Sequence, residues 1–351
     1  MKNFISLSQY TSIGGQAVIE GVMMRSPKYI AIAVRKPNQK IVIRSYPYSS
    51  FSKRFPLLRK PVFRGVAMLI ESLFQGIDAL SYSANIAADS EKTGEELSNW
   101  AIIGSILTAF ILGMGLFVAL PHFLTAVITG NPHIGLTAQS PIFHLLDGAL
   151  KITILLIYVY SISCMKDIHR VFQYHGAEHK SIYTFEKGEE LIVENARKHT
   201  TLHPRCGTSF LLFLVLISIA VFSVVFPLFH LTDFSSNSVL NHIVMILIKI
   251  VLMLPVAGLA YEFIKMCAFR MDNPLFRTLI FPGMLLQKLT TREPSDEQLE
   301  IALASLKQVL GLEKGIISHN TPESKKDFEL EIAQLSELGR VQARVSEFPE
   351  V

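Results

Sequence analysis

Four long apolar segments limit what this chain can fold into. They cover Ala101–Leu120, Ile142–Cys164, Phe210–Phe229 and Val239–Tyr261, and each has roughly the 20 residues that a helix needs to cross a hydrocarbon core of about 30 Å. Half of the 351 residues are hydrophobic and only 18% are charged, a composition typical of membrane proteins. The sequence therefore predicts a mainly α, polytopic membrane protein with about four transmembrane helices.

The distribution of lysine and arginine predicts the orientation of these helices. Residues 1–100 carry thirteen such cations and residues 165–209 carry seven, whereas 121–141 and 230–238 carry none. Because basic loops stay on the cytoplasmic side, we expect both termini and the loop 165–209 in the cytoplasm, and the chain in the inner (plasma) membrane. Met1–Ser12 lacks a basic start followed by an apolar core, so no cleaved signal peptide is predicted.

The N-terminal part predicts a small β-rich unit. Ile30–Arg35 and Ile41–Arg44 are apolar or alternating on either side of the turn Lys36–Gln39, which predicts a hairpin. Gly14–Arg25 has little charge and three glycines, a pattern that fits either a buried strand bounded by glycines or a functional loop.

The segments flanking the apolar runs have their own patterns. Val62–Ala88 predicts an amphipathic helix that lies on the bilayer or against the other cytoplasmic parts. Phe276–Leu289 is too short to span and predicts an interfacial or re-entrant piece. Asp296–Leu312, with Ser295 as N-cap, predicts a helix packed on the cytoplasmic part, and the charged tail after it is expected to be weakly held, with a helix near Phe328–Leu338.

The predicted organisation has seven parts. They are a β-containing cytoplasmic unit (1–60), an amphipathic helix and linker (61–99), a first transmembrane pair (100–164), a His-rich loop (165–209), a second transmembrane pair (210–261), a cytoplasmic interfacial and helical segment (262–312) and a charged, weakly ordered tail (313–351).

The His-rich loop carries the motif with the most chemistry. His175, Glu178 and His179 form the pattern HxxEH, and on a helix the two imidazoles share one face and can hold one cation. In one class of zinc peptidases this order supplies two ligands and a general-base glutamate. His203 and Cys206 follow about thirty residues later, and either can supply the third ligand of a zinc site with Glu178 as the base. This arrangement predicts a metal-dependent hydrolase that acts on a peptide, lipid or phosphoester at the cytoplasmic face.

Other interpretations of these residues stay open. His175, His179, His203 and Cys206 can instead hold zinc in a closed structural site within a non-catalytic membrane scaffold, whose N-terminal unit binds a protein partner. The histidines can also be interfacial imidazoles bonded to backbone groups and to carboxylates such as Glu186, Glu189 or Glu194, without any metal.

Charged residues inside the apolar runs suggest a third function. Asp147 and Lys151 lie four residues apart in the second run and are spaced to pair, and Lys249 lies in the fourth. Intramembrane charges often mark transport pathways, so ion or solute transport is a further alternative.

The sequence does not predict nucleic-acid binding or a disulfide framework. No block of basic residues is interleaved with aromatic side chains, so nucleic acid is not a predicted partner, whereas the lipid bilayer is. The three cysteines do not form the pattern of a disulfide framework.

Five motifs in this order resemble the bacterial YqhQ-like family. They are Gly14–Arg25, the helix from Phe63-Arg64-Gly65 to Ser83-Ala84, His175–Lys180, His203–Thr208 and Leu289–Pro294. The resemblance runs from about Ile13 to Leu312. It implies a multi-pass membrane protein of unknown function, of the kind labelled predicted metal-dependent enzymes, but it does not supply a substrate.

Overall fold

A computed structural model describes residues 13–51, 55–88, 99–130, 137–231, 236–315 and 328–338. The predictions for Met1–Ser12 and for the linker 89–98 lie outside these residues. The strands are β1 Gly14–Val18, β2 Gly21–Arg25, β3 Tyr29–Arg35, β4 Ile41–Pro47 and β5 Phe328–Ile332. The helices are α1 Phe63–Ala87, α2 Asn99–Met114, α3 Leu120–Thr129, α4 Pro141–Ser163, α5 Lys166–Glu186, α6 Val193–Ala196, α7 Gly207–Leu228, α8 Ser238–Ala268, α9 Pro274–Thr290 and α10 Asp296–Glu313.

Four helical segments are long and apolar enough to cross a membrane, as the sequence predicted. They are Ile103–Thr129, Pro141–Ser163, Gly207–Leu228 and Ser238–Ala268. The first continues past its predicted end at Leu120, where Pro121 follows. A π-helical turn, Gly115–Ala119, joins α2 to α3 just before this proline, and such wide turns accommodate a residue that has no N–H to donate.

The strands form one antiparallel sheet in the order β1-β2-β3-β4-β5. The predicted hairpin is confirmed, with Arg35 opposite Ile41 at its turn. Gly14–Arg25 forms a second hairpin, in which Val18 lies opposite Gly21. A Cβ at Gly21 would lie 2.2 Å from the carbonyl oxygen of Ala33, so this position requires glycine for the close approach of β3.

The prediction of a helix near Phe328–Leu338 is wrong for its first half. Phe328–Ile332 forms β5, which pairs with β4 at the edge of the sheet, and a single 3-10 turn follows at Leu335–Leu338. The sequence Phe-Glu-Leu-Glu-Ile alternates apolar and acidic residues, which suits a strand with one buried face. Ile332 on that face is buried. The strand pairs with β4, which lies far away in the sequence, so the local sequence of the tail did not indicate this partner.

The sheet is covered on both faces. Ala31 and Ala33 pack toward α10 and α5, while their neighbours Ile30, Ile32 and Val34 pack toward α1, because successive side chains of a strand point to opposite faces. The near-continuous apolar sequence of β3 follows from this double burial.

The polar side of helix α1 faces the sheet, through residues such as Glu71, Gln75 and Asp78. Glu71 is buried and accepts hydrogen bonds from Tyr48, Ser50 and the backbone of Phe51, all in the segment that follows β4. On the outer side, Leu73 is among the apolar side chains left exposed. The amphipathic pattern therefore predicted the helix, but its polar side binds the sheet unit and its apolar side lies outward.

Helix α10 forms the core of the sheet unit. It packs against β2, β3, β4 and α5, and nearly all of its residues are buried. It starts with a capping box, in which the Ser295 hydroxyl accepts a hydrogen bond from the backbone N–H of Gln298 and the Gln298 side chain accepts one from the backbone N–H of Ser295. Both the N-cap and the helix agree with the sequence prediction.

We expect Ser295→Ala to lower the free energy of unfolding by about 1 kcal/mol, because the first turn of α10 loses a side-chain acceptor. Thermal unfolding of the detergent-purified protein measures this change. Ser295→Asp is the matched control, since its carboxylate keeps an acceptor at the N-cap, and equal melting temperatures for the two variants would contradict the capping role.

Candidate metal centre

Helix α5 brings His175 and His179 together. The two residues are four apart on the helix, and their ring centroids lie 4.4 Å from each other. Helix α5 is rich in polar residues, yet the stretch from Tyr174 to Ile182 is entirely buried, because α5 packs against β1 and α10 as well as α4. The predicted one-face arrangement of the two imidazoles is therefore present in a water-poor environment.

Backbone carbonyl groups orient both rings. Nδ1 of His175 lies 2.8 Å from the carbonyl oxygen of Thr290, and Nδ1 of His179 contacts the carbonyl oxygen of Thr201. A carbonyl oxygen can only accept, so each Nδ1 carries the proton and each Nε2 keeps its lone pair. This is the tautomer and support that metal-binding histidines have in proteins.

Cys206 completes a group of three. Its Sγ lies 3.1 Å from Nε2 of His175, and one ligand atom from each of His175, His179 and Cys206 lies within 4.8 Å of the other two. Nε2 of His179 is buried and has no hydrogen-bond partner among the described residues. An unpartnered lone pair that faces a second imidazole and a thiol fits the donor set of a bound metal.

The surroundings of Cys206 favour its thiolate. Cys206 is the N-cap of α7, and its sulfur accepts from the backbone N–H of Thr208 and contacts the Thr208 hydroxyl. Burial raises the pKa of the Cys206 thiol, but the neighbouring His179 ring and the donors of Thr208 lower it, so that this pKa lies below its ordinary value. Burial also lowers the pKa of His179, so this ring is neutral, as a metal ligand must be.

Glu178 lies beside the group without belonging to it. Its side chain is buried and touches β1, since a Cβ at Gly15 would lie 2.8 Å from Cγ of Glu178. Burial raises the pKa of Glu178 to about 7, with the His175 ring opposing this rise and Cys206 adding to it. A carboxyl group in this setting can exchange a proton near neutral pH.

His203 takes a different position from the one that would make it a ligand. Its Nδ1 accepts from the backbone N–H of Arg205 at 3.3 Å, and its Nε2 lies 3.4 Å from Oε2 of Glu186. Burial lowers its pKa to about 4. Of the two candidates for the third ligand, Cys206 forms a group of three donors with the histidine pair. The His203 ring packs against His179, with 5.6 Å between the ring centroids, but its nitrogens contact Glu186 and Arg205 instead.

The alternative in which the histidines bond to carboxylates holds for His199 and His203, but not for His175 and His179. His203 lies against Glu186, and His199 lies 2.9 Å from Glu189. Within the described residues, the ring nitrogens of His175 and His179 contact backbone carbonyls and Cys206, the rings pack against each other and His179 also packs against His203, and neither ring is paired with a carboxylate.

Gln287 is a functional candidate that the sequence analysis missed. Its fully buried amide accepts from the backbone N–H of His203 at 2.8 Å and donates to the His203 carbonyl at 2.8 Å and to Ser209 at 2.9 Å. These bonds hold the backbone of His203 before Cys206 and the hydroxyl of Ser209 after it. An amide in the apolar stretch Phe276–Leu289 is the signal that could have identified it, because a buried amide needs polar partners.

We expect Gly176→Ala to destabilise the protein by about 2 kcal/mol, because its Cβ would lie 2.1 Å from the carbonyl oxygen of Arg292 and would push α5 away from the Thr290 segment. Thermal unfolding measures the effect. Gly207→Ala is the control, since a Cβ there meets no atom within 4 Å. A Gly176→Ala protein as stable as Gly207→Ala would show that this close approach is not required.

Comparison with known proteins places the chain in a family. The family described as "Protein of unknown function (DUF1385)" matches residues 60–312. The chain is 33% identical over 314 residues to "Uncharacterized protein YqhQ" of Bacillus subtilis (strain 168). The aligned region covers 86% of this chain and 92% of that protein. No solved structure matches. The chain belongs to the DUF1385 family, as the resemblance to YqhQ-like proteins predicted.

Proposed function

We propose that the protein is a metal-dependent hydrolase that acts at the cytoplasmic face of the bacterial inner membrane. The observation that carries this proposal is the convergence of three buried donors, Nε2 of His175, Nε2 of His179 and Sγ of Cys206, with both Nδ1 atoms held by backbone carbonyls. Three protein donors leave a fourth tetrahedral position free, which is the arrangement of catalytic rather than structural zinc sites.

Zinc is the metal that this donor set favours. Two imidazoles and one thiolate are ligands of the type that zinc takes in proteins. A bound zinc ion supplies Lewis acidity, which lowers the barrier to attack by water on a carbonyl or phosphoryl group. Glu178 is the proposed base, because it precedes the ligand His179 on α5 and because burial raises its pKa to about 7, so that it can take up a proton near neutral pH.

The position of the group supports a substrate at the membrane surface. Cys206 immediately precedes α7, and Thr290 ends α9, which packs on α7 and α8, so the donors lie where apolar helices end. With the basic loops inside, this end is cytoplasmic. The substrate class proposed is a peptide, lipid or phosphoester that reaches this surface.

The main alternative is a scaffold in which a metal holds the 165–209 segment in place. It needs a fourth protein ligand or a site closed to water. His203, the residue that would complete a four-ligand site, has both ring nitrogens engaged with Glu186 and Arg205. Those contacts favour the three-ligand site.

We expect the purified wild-type protein to contain about one zinc ion per chain, in line with one set of three donors. His175→Ala, His179→Ala and Cys206→Ser should each lose most of the metal, measured by elemental analysis. His199→Ala is the matched control, because His199 bonds Glu189 outside the group. His203→Ala should keep its metal, and loss of metal in that variant would favour the closed four-ligand site. A metal-free wild-type protein would contradict both.

An open coordination position can be tested without knowing the substrate. In protein loaded with Co²⁺, added azide should change the visible absorption spectrum, because azide can enter only a free position. A spectrum that azide does not alter would favour the scaffold.

The role of Glu178 as the base is tested by replacing Glu178 itself and by crowding it from Gly15 in β1. Glu178→Gln should keep the metal and the azide response but abolish hydrolysis in an assay of ester, peptide and phosphoester substrates. Gly15→Ala should weaken hydrolysis by crowding Glu178, whereas Gly14→Ala, which has open space around it, should not. Hydrolysis that survives Glu178→Gln would rule out the proposed base.

A further inference from the structure

A second cluster of ionisable side chains lies inside the helix bundle, at the end away from the metal centre. Lys249 of α8 and Lys151 of α4 both donate to Oδ2 of Asp147, at 2.7 and 2.8 Å. The predicted Asp147–Lys151 pair is therefore confirmed, and Lys249 joins it from another helix. His122 of α3 and His144 of α4 lie against the same group, and all five side chains are buried.

The cluster carries more positive than negative charge. Two ammonium groups face one carboxylate, and α7 packs the aromatic rings of Phe222 and Phe226 against the two lysines. Asp147 and Lys151 lie six and ten residues into α4, which is about 9 and 15 Å at ~1.5 Å per residue. An unbalanced charge at this depth is costly, and release of one proton from a lysine would leave the cluster neutral.

A chain of hydrogen bonds leads from Lys249 toward the end of the bundle. Nζ of Lys249 lies 3.0 Å from Nδ1 of His122, and Nε2 of His122 lies 3.0 Å from Nδ1 of His242. A lysine ammonium can only donate, so Nδ1 of His122 accepts and Nε2 of His122 carries the proton. That proton is donated to Nδ1 of His242, which fixes the His242 proton on Nε2 as well. All hydrogen bonds of the chain therefore run in one direction.

The chain ends at a cavity. A cavity of about 370 Å³ lies at this end of the bundle, and His242, Phe143 and Met245 are among the residues that line it. Other walls carry hydroxyl and amide groups, from Thr129, Gln139, Ser238 and Asn241. A polar space of this size holds several water molecules. No acidic residue is among the described residues that line it.

We infer that Lys249 and Asp147 form a proton-exchange site inside the membrane, which His122 and His242 connect to the water of this cavity. In the outward step, Nζ of Lys249 gives a proton to Nδ1 of His122, Nε2 of His122 gives its proton to Nδ1 of His242, and Nε2 of His242 gives its proton to water. One proton leaves, Lys249 becomes a neutral amine, and both imidazoles end with the proton on Nδ1. Uptake follows the same path in reverse.

This site is separate from the metal centre and does not depend on the proposed hydrolase function. It also makes the alternative of ion or solute transport more specific, because the ion that this site would exchange is a proton. His144 provides a matched comparison, since it lies in the same cluster but its two ring nitrogens take no part in the chain.

Solid-state NMR of the full-length protein in lipid bilayers, labelled with ¹⁵N-lysine and ¹⁵N-histidine, tests the inference. His122 and His242 should both show the neutral tautomer with the proton on Nε2. Magnetisation from water should reach the Lys249 amine in the wild type, with Lys249→Arg used to assign its signal. In His122→Gln, whose amide keeps hydrogen bonds but cannot pass a proton on, this transfer should fall several-fold, whereas His144→Gln should leave it unchanged.

Three results would overturn the inference. They are a wild-type protein in which water magnetisation does not reach Lys249, an equal effect of His122→Gln and His144→Gln, and a His122 ring with its proton on Nδ1. The first and third are measured on the wild-type protein, so they decide the question even if a variant fails to fold.

Discussion

The structure depends on the burial of a polar helix. Helix α5 carries two imidazoles, a carboxyl group and a lysine in its buried stretch, and each such group costs free energy unless it finds a partner. Backbone carbonyls satisfy the two histidines, and Lys180 pairs with Glu293 and donates to the carbonyl of Arg197. Nε2 of His179 has no hydrogen-bond partner among the described residues, so its lone pair is available to a metal ion.

This requirement explains why the sheet unit and the apolar helices are joined so closely. The partners of α5 come from both sides. Glu20, in the turn between β1 and β2, contacts Arg170 and Tyr174 of α5, while Thr290 and Cys206 come from the ends of α9 and α7. A second link lies where α1 crosses α8, since a Cβ at Gly65 would meet Gly258 at 2.9 Å. The candidate metal centre exists only where these two parts meet.

The cost of burying polar groups without partners also shapes the cluster around Asp147, at the other end of the helix bundle. Asp147, Lys151 and Lys249 are buried among apolar side chains, where Oδ2 of Asp147 accepts hydrogen bonds from both lysines and Lys249 also donates to His122. The two sites, at opposite ends of the bundle, share one physical constraint. A polar group in a water-poor region costs free energy unless it is bonded, so the atoms that lack a fixed partner or can exchange a proton define what each site can bind. At one end the available atom is an imidazole lone pair, and at the other it is an exchangeable proton.

The sequence by itself determined the features that depend on nearby residues. Apolar length placed the four candidate spans, apolar or alternating runs around a turn placed β3 and β4, Ser295 as N-cap placed the start of α10, and the interval of four placed His175 beside His179. Only the tertiary structure decided the rest. It selected Cys206 over His203, supplied the carbonyls of Thr201 and Thr290, added Lys249 to the Asp147 pair, and turned Phe328–Ile332 into a strand. These contacts join positions that lie far apart along the chain, so they depend on how helices and strands pack. Phe328–Ile332 does alternate apolar and acidic residues, but its pairing partner β4 lies nearly 300 residues earlier in the chain.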